Sequence, residues 1–589
     1  MSRQNCIQCQ TKGPSNRIDS GRMKNNWSFI PSRRRNWQMW ETPSLTLHLC
    51  GWAYRGDDYL SGKQLSDHIV DQMQAALPWE TVFSELNGNF AVVIGNAECV
   101  VFGVDAVRSI PLIYRSNKNS ISISDCLFAI RQTNDAIDPD SLIEFCAAGY
   151  VTGSHTLYEN MTALKAGEYG MYCREWNRPD TKRYFRYDCA YDSQESEAQL
   201  CEEFNNILIS VFCRLTKILN GRQVVIPLSG GLDSRLVASM CKQMGYENVL
   251  CFSYGLPDNI ESARSEKIAQ TLGYPWIRIP YTGAKWKDTF SLPAFHEYFK
   301  LGCNGISLPH IDDWPATQAL RSSDRISEDA VFVPGHTGDF ICGSHLKYVF
   351  DPVWHDDPRD LLGALIKKHY MLWKHLLHNK RVKAAIEQRI HEIVREFPNT
   401  TPEDIARMYE FWEWQERQSK YIINAVRVYE FFSFDWRIPL WDRDIMNFWK
   451  EIPLEWKFDK YLYRTYLANY DAFGIFPDVN PVEKWYREST SNRLDAHYRR
   501  RIKQWLKSSW LLSQPFDYLE SYRYHLRTYW SEPKGISRGY GFFPYVFGNR
   551  TKRHSTSLLI EPVLNSLGLD AEFRALRYGK MSDHRIWSE

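Results

Sequence analysis

The stretch Val224-Val225-Ile226-Pro227-Leu228-Ser229-Gly230-Gly231-Leu232-Asp233-Ser234 limits what this chain can fold into more than any other segment. An apolar run gives way to two glycines, and an acid and a hydroxyl then open a helical pattern. Leu236, Val237, Met240 and Met244 share one face of that helix, which stops at Gly245. This order suits a strand, a tight turn and a helix N-terminus. Unpaired N–H groups and the positive end of a helix make such a turn an anion site, and glycines let the backbone approach a phosphate. It is not a Walker A loop, because the Gly-Lys-Ser/Thr ending is missing. A glycine-rich turn with no ligand is the plainer alternative, but strand, turn and helix agree in phase.

The pattern continues as strict β/α alternation. Val249–Tyr254 reads as a second strand, and a helix with Ala263, Ile268 and Leu272 on one face ends at Gly273. Trp276–Tyr281 reads as a third strand and Ala330–Val333 as a fourth. Apolar strands alternating with amphipathic helices predict a parallel sheet covered on both faces. Ligands on such sheets bind beyond the carboxyl ends of the strands. The run Val331-Phe332-Val333-Pro334-Gly335-His336-Thr337-Gly338-Asp339-Phe340-Ile341-Cys342-Gly343 repeats the strand-then-loop design and sets Asp339 at another strand end. Taken alone, Asp339 could be an ordinary turn acid. Paired with Asp233 it could hold Mg²⁺, which takes one or two carboxylates together with phosphate oxygens and water.

The bulk properties exclude several classes. At 589 residues the chain exceeds a single core, so two or three domains are expected. Hydrophobic content of 44% and charged content of 24% are those of a soluble globular protein, and a net charge of +2 gives no general attraction to nucleic acid or anionic membrane. The basic runs Arg33 to Arg35 and Arg499 to Arg501 read as solvated surface. No apolar run approaches the roughly 18 residues of a membrane span, and the polar N-terminus has no secretion signal. The 14 cysteines are scattered from Cys6 to Cys342, which predicts reduced thiols in a cytoplasmic protein rather than a disulfide framework. Cys6 and Cys9 have CxxC spacing, but no second pair completes a zinc set.

Residues 1–26 are polar and read as a flexible leader. Residues 27–187 read as mainly β with a few helices. Asn89–Ile94 and Cys99–Val104 form a hairpin around Gly95-Asn96, Ile121–Ser124 alternates like a strand, and a helix over Asp138–Gly149 has Asp138 as its N-cap. Residues 188–220 form a helical connector. Beyond about residue 350 the chain is helical and rich in Trp and Tyr, and residues 481–589 form a helical extension.

Ser229-Gly230-Gly231-Leu232-Asp233-Ser234 resembles the PP-loop of ATP pyrophosphatases, and the chain over roughly residues 50–470 resembles the asparagine synthetase family. That family includes β-lactam synthetase and lasso-peptide cyclases. Gly335 to Gly343 is similar to the family's Gly-Glu-Gly-Ala/Ser-Asp-Glu loop. Trp436-Arg437-Ile438-Pro439-Leu440-Trp441-Asp442 is similar to its Arg-Val-Pro-Phe-Leu-Asp segment, and Asp459-Lys460-Tyr461-Leu462-Tyr463-Arg464 to its Lys-x-x-Leu-Arg segment. Upstream, Leu86-Asn87-Gly88-Asn89-Phe90-Ala91, Asp105 through Pro111-Leu112-Ile113-Tyr114, Lys165-Ala166-Gly167 and Tyr184-Phe185 also sit in family order. The resemblance implies a two-domain α/β protein. An Ntn-type α+β amidotransferase-like sandwich would occupy 27–187, and a PP-loop parallel sheet with a helical C-terminal part would occupy 188–480. It further implies ATP against Leu228, Ser229, Gly230, Gly231, Asp233, Ser234, Tyr254 and Gly335, Mg²⁺ on Asp233 and Asp339, and Lys460 at the pyrophosphate. The implied reaction is amide formation from a carboxylate and an amine or ammonia, with release of AMP and pyrophosphate.

Two departures from the family stand out. A glutaminase of this class needs an N-terminal cysteine followed by glycine, whose own amine serves as base. Here the chain starts Met1-Ser2-Arg3, Cys6 and Cys9 are followed by Ile7 and Gln10, and Gly51-Trp52-Ala53-Tyr54-Arg55 lacks the asparagine that holds the oxyanion. The N-terminal region is therefore expected to be a scaffold without glutaminase activity. The other departure is that His336 and Phe340 stand where asparagine-forming members carry glutamates. A histidine there could take a proton from an incoming amine, or serve only as a hydrogen-bonded loop residue. The acid could be aspartate, a sugar acid or a peptide side chain. Rival readings are a glutamine-hydrolysing asparagine synthase, an ATP-binding pseudoenzyme, and a nucleotide sulfurtransferase using Cys241 or Cys342.

Overall fold

The computed structural model describes residues 26–256, 260–350, 360–479 and 555–572. The leader up to residue 25 with its CxxC pair, the run Arg499 to Arg501 and most of the expected C-terminal extension lie outside the described residues.

From the amino end the strands are β1 (Trp27–Phe29), β2 (Gln38–Glu41), β3 (Thr46–Arg55), β4 (Asp58–Ser61), β5 (Asn87–Gly95), β6 (Cys99–Val104), β7 (Ile113–Asn117), β8 (Ser120–Ser124), β9 (Thr162–Ala163), β10 (Glu168–Cys173) and β11 (Asp180–Arg183). They form two sheets. One runs β1-β8-β7-β9, the other β11-β10-β6-β5-β3-β2 with β4 on β3. Side chains of a strand alternate between faces, and β5 shows how this sorts the core. Ala91 and Val93 join Phe102, Tyr114, Ile121 and Ile123 between the two sheets. Phe90, Val92 and Ile94 face the other way, onto Leu65, Ile69 and Phe83 of the helices Gly62–Gln74 and Trp79–Ser84. The hairpin expected around Gly95-Asn96 is β5–β6 in antiparallel register. The helix expected from Asp138 spans Pro139–Ala148, with the Asp138 side chain accepting from the Asp140 N–H and Gly149 left-handed at its end.

Two expectations are overturned here. Arg35, expected with its neighbours on the solvated surface, has a buried side chain that pairs with Asp125 at 2.7 Å and Glu430 at 3.1 Å, partners that lie far along the chain. Cys99 and Cys173 face each other across the antiparallel β6–β10 pair, with Cα atoms 4.1 Å apart, and are joined in a disulfide. Composition cannot reveal a cross-strand register, so scattered cysteines looked uniformly free. The other described cysteines are free and mostly buried.

The helix Glu197–Leu219 opens with a Ser196–Gln199 capping box and leads into the second half. There β12 (Val224–Pro227), β13 (Val249–Gly255), β14 (Trp276–Pro280), β15 (Val331–Phe332) and β16 (Asp435–Trp436) form a parallel sheet in the order β14-β13-β12-β15-β16. The strands expected at Val224, Val249, Trp276 and Ala330 are the first four of these. β16 escaped the sequence reading, since two residues carry no periodicity. The fold is thus mixed α/β with a parallel sheet. One continuous core runs from Leu142 and Phe145 of the early helix to Val225, Phe252 and Phe332 of this sheet, so the two halves pack together. Buried charges fasten the join: Lys420 donates to the Val151 and Gly153 carbonyls at 2.7 and 2.6 Å and pairs with Glu416 at 2.7 Å.

Candidate active site

Leaving β12, the chain turns through Leu228–Gly231 into the helix Leu232–Gln243. Hydroxyls close the turn. Ser229 N–H donates to Ser234 Oγ at 3.1 Å, the Ser229 and Ser234 hydroxyls are 3.0 Å apart, and Gly231 N–H donates to Ser229 Oγ at 3.1 Å. Behind it lies Arg235, a residue with no prior signal in the sequence. Its buried guanidinium takes the Gly230 carbonyl at 2.9 Å and the Gly231 carbonyl at 3.1 Å. With those carbonyls drawn to one cation, the loop is set in a single conformation and the exposed Gly231 stands at the positive end of the helix.

The second loop leaves β15 and closes onto the first. Asp339 N–H donates to Asp233 Oδ2 at 2.9 Å, joining residues 106 positions apart. This approach explains two glycines. A Cβ at Gly335 would lie 2.5 Å from Ser234 N, and one at Gly338 would lie 2.5 Å from Asp233 Cγ and Oδ1. Thr337, just before, sits at φ +82°, an uncommon backbone for a β-branched residue. Its buried hydroxyl is tied to Gln418 Oε1 at 2.9 Å.

A third segment completes the cluster. Asp459 and Lys460 are both left-handed, at φ +50° and +66°, and the helix Tyr461–Asn469 follows. Lys460 Nζ donates to Asp339 Oδ1 at 2.7 Å, and Tyr463 Oη donates to Asp233 Oδ1 at 3.0 Å. Tyr463 stands in the Asp459–Arg464 segment, whose sequence assigns it no role. It lies one helical turn beyond Lys460, and that spacing was the available signal.

Burial and the neighbouring Asp339 push the Asp233 carboxyl up to about 7. Burial works the same way on Asp339, but the Lys460 ammonium outweighs it and holds this carboxyl below its ordinary value. Of the pair, the Asp339 side chain is the open one, 59% exposed. Two acids that resist joint ionisation fit a site that gains a cation. Among the described residues no group of three or more His, Cys, Asp or Glu side chains could hold a metal alone. The donors present are two carboxylates, a set that Mg²⁺ accepts because it binds through one or two carboxylates and completes its shell with phosphate and water.

The remaining predicted residues border this cluster. Leu228 N–H is held by the Phe252 carbonyl at 2.8 Å. Tyr254, at the end of β13, stacks on Tyr281 with centroids 5.0 Å apart and donates to Asp313, which also accepts from Tyr429 at 2.5 Å. His336 is half-buried, with a ring Nδ1 that has no hydrogen-bond partner among the described residues. Burial lowers its pKa, with Asp313 opposing, so the ring is neutral near pH 7. Phe340 is a core residue against Tyr187 and Trp441 and takes no part in the site. Cys241 and Cys342 are buried, and burial pushes both thiols up, Cys241 to about 12. That suits packing, not the nucleophile a sulfurtransferase needs. In the N-terminal half, Trp52 carries the Arg437 guanidinium 5.0 Å above its ring, filling space between the halves.

Comparison with known proteins bears on the family of the chain. The microcin J25-processing protein McjC of Escherichia coli is 22% identical over 452 residues, 72% of this chain and 77% of that protein. A structure of glutamine phosphoribosylpyrophosphate amidotransferase from B. subtilis, complexed with ADP and GMP, aligns at 11% identity over 51% of this chain and 64% of its own, with a TM-score of 0.16. This chain thus spans less than two thirds of that neighbour, and at such a score the likeness says nothing of the fold. The asparagine synthase family profile matches residues 218–512, which hold both loops and Lys460. The chain belongs to the asparagine synthase family of ligases.

Proposed function

We propose that this protein forms an amide bond at the expense of ATP by adenylating a carboxylate, releasing pyrophosphate, and letting an amine or ammonia displace AMP. A free carboxylate is a poor acyl donor because its leaving group is effectively oxide, whereas AMP leaves readily. The observation that carries the reading is the meeting of Asp233 and Asp339 at the ends of β12 and β15, with Tyr463 on one and Lys460 on the other. Mg²⁺ on these two carboxylates would supply charge neutralisation as pyrophosphate departs. The turn Ser229–Gly231 and the N-terminus of its helix bind phosphate, with Ser234 fixing the turn. Lys460, already positioned by Asp339, places a cation beside the leaving pyrophosphate. Gly335 allows the second loop to close against the nucleotide loop, and Tyr254 and Leu228 flank the nucleotide. His336, neutral and with an unused ring nitrogen, takes the proton of the incoming amine.

The nitrogen donor comes from outside the N-terminal half, where the segment Gly51-Trp52-Ala53-Tyr54-Arg55 lacks the asparagine that holds the oxyanion. The relative's name concerns the processing of a microcin, so a peptide carboxylate is the acid to try first, beside free aspartate and sugar acids. A ligase that consumes ATP is placed in the cytoplasm, where ATP is supplied; the free cysteines suit that compartment, whereas the Cys99–Cys173 disulfide does not argue for it. The test is a screen for AMP and pyrophosphate release over candidate acids, each with ammonia, glutamine or an amine. Acid-dependent AMP formation that disappears in Asp233→Asn and Asp339→Asn is expected. AMP formation that persists in either variant would refute the reading.

A further inference from the structure

Beside the nucleotide loop stands a second arginine that none of the roles above employs. Arg264, on the helix Ile260–Leu272, packs its Cδ against the face of Gly230, 3.1 Å from where a Cβ at that glycine would sit. Its side chain is 49% exposed, and it meets Asp478 through one approach of 3.3 Å. Asp478 is held mainly by the other arginine: Arg235 Nη1 donates to its Oδ1 at 2.7 Å and Nη2 to its Oδ2 at 3.3 Å. The two guanidiniums therefore share one carboxylate, but on unequal terms. Arg235 is buried and also takes the Gly230, Gly231 and Ile475 carbonyls, so it is fixed. Arg264 is open to water and, among the described residues, attached at one point, and exposed ion pairs of this kind hold weakly.

We propose that Arg264 is a polyphosphate-binding residue of the loop, kept at the rim by Asp478 until the pyrophosphate portion of ATP takes the carboxylate's place. This rests on the nucleotide reading above and adds a residue that the resemblance did not supply. The exchange follows from charge and shape. Pyrophosphate carries more negative charge than a carboxylate and offers paired oxygens to a guanidinium fork, while Asp478 keeps its grip on Arg235. Only a small side-chain movement is required, because the Arg264 stem already touches the loop.

The experiment titrates the full chain with ATP, inorganic pyrophosphate and AMP, each with Mg²⁺, by calorimetry, for wild type, Arg264→Ala and Arg264→Lys. Arg264→Ala is expected to weaken ATP and pyrophosphate about tenfold, the worth of one charge-assisted contact, and to leave AMP unchanged. Arg264→Lys should recover part of the loss, since it restores the charge without the fork. An alanine variant that binds pyrophosphate within twofold of wild type overturns the proposal, as does one that loses AMP to the same degree. If wild type binds neither ATP nor pyrophosphate, the nucleotide reading itself has failed. If wild type binds both and the variant matches it, only the role of Arg264 has failed.

Discussion

Adding one methyl group at Gly338 should disable the site without unfolding the protein. A Cβ there would lie 2.5 Å from both Cγ and Oδ1 of Asp233, at least 0.9 Å inside the 3.4 Å where ordinary contact begins. Asp233 cannot simply turn aside, because Oδ1 holds Tyr463 at 3.0 Å and Oδ2 holds Asp339 N–H at 2.9 Å. The cheaper response is for the second loop to retreat, which stretches the Asp339 N–H bond beyond use. A hydrogen bond to a charged group is worth about 1.5–3 kcal/mol. The retreat also moves the Asp339 carboxylate by close to 1 Å, and a displacement of that size in a reacting constellation costs about 10²-fold in rate. Gly338→Ala should therefore lower AMP formation about 10²-fold, read as pyrophosphate release under saturating ATP. Its thermal midpoint should fall by no more than the few degrees that one lost hydrogen bond is worth, because Gly338 lies in a short turn of helix, Gly338–Ile341, and no apolar contact is lost. Activity within threefold of wild type would show that the two loops need not touch, and the argument from convergence would go with it.

Lys460→Ala should reduce AMP formation by about 10²–10³-fold while ATP still binds, since in the proposed reaction its cation acts on charge that develops as pyrophosphate leaves; single-turnover AMP release against equilibrium ATP binding separates the two. Tyr463→Phe should weaken ATP turnover by about tenfold or less, the worth of one hydrogen bond to a carboxylate, as read from steady-state rates at fixed Mg²⁺. Burial and the adjacent Asp313 push Asp312 up to about 7 from 3.8, so between those values the folded chain holds a proton that the unfolded chain releases. Stability should accordingly fall as pH rises through that window, and urea midpoints of Asp312→Asn should lose this part of the slope. Reduction of the Cys99–Cys173 disulfide should leave AMP formation intact, because the bond lies in the sandwich and not beside either loop.

What the sequence disclosed was whatever repeats locally. The strand-turn-helix phase at Val224–Ser234 located one carboxylate, and the echo at Val331–Gly343 located the other. Asp138 and Gly149 marked a helix because capping chemistry sits within a few residues of what it caps. Hidden features depend on partners far along the chain. Arg235 reads as an ordinary helical residue until its hold on Gly230 and Gly231 is seen. The two residues of β16 become a strand only by pairing with β15, about a hundred positions earlier, and the disulfide needs the β6–β10 register. Phe340 stands where asparagine-forming members carry a glutamate, but the short helix there turns it into the core.

The backbone around the site shows why three remote segments meet so closely. Thr337, Asp459 and Lys460 hold positive φ without being glycine, and each such residue costs on the order of 1–3 kcal/mol unless its surroundings enforce it. Those surroundings are present, and they link the segments to one another. Thr337 is buried and tied to Gln418. Gly343, at the far end of the same loop, lies so close to the Lys457 carbonyl that a Cβ would approach it to 2.3 Å. Lys457 is itself buried and anchored by Glu410 at 2.9 Å and the Trp449 carbonyl at 2.9 Å. It precedes the left-handed pair Asp459-Lys460 by only two residues. The loop carrying Asp339 and the turn carrying Lys460 are therefore fixed to one buried lysine, and the 2.7 Å ion pair between them is imposed by packing, not found by two flexible side chains. A cation so placed pays its ordering entropy during folding, so in the proposed reaction none of that cost falls on the step at which the substrate's charge arrives.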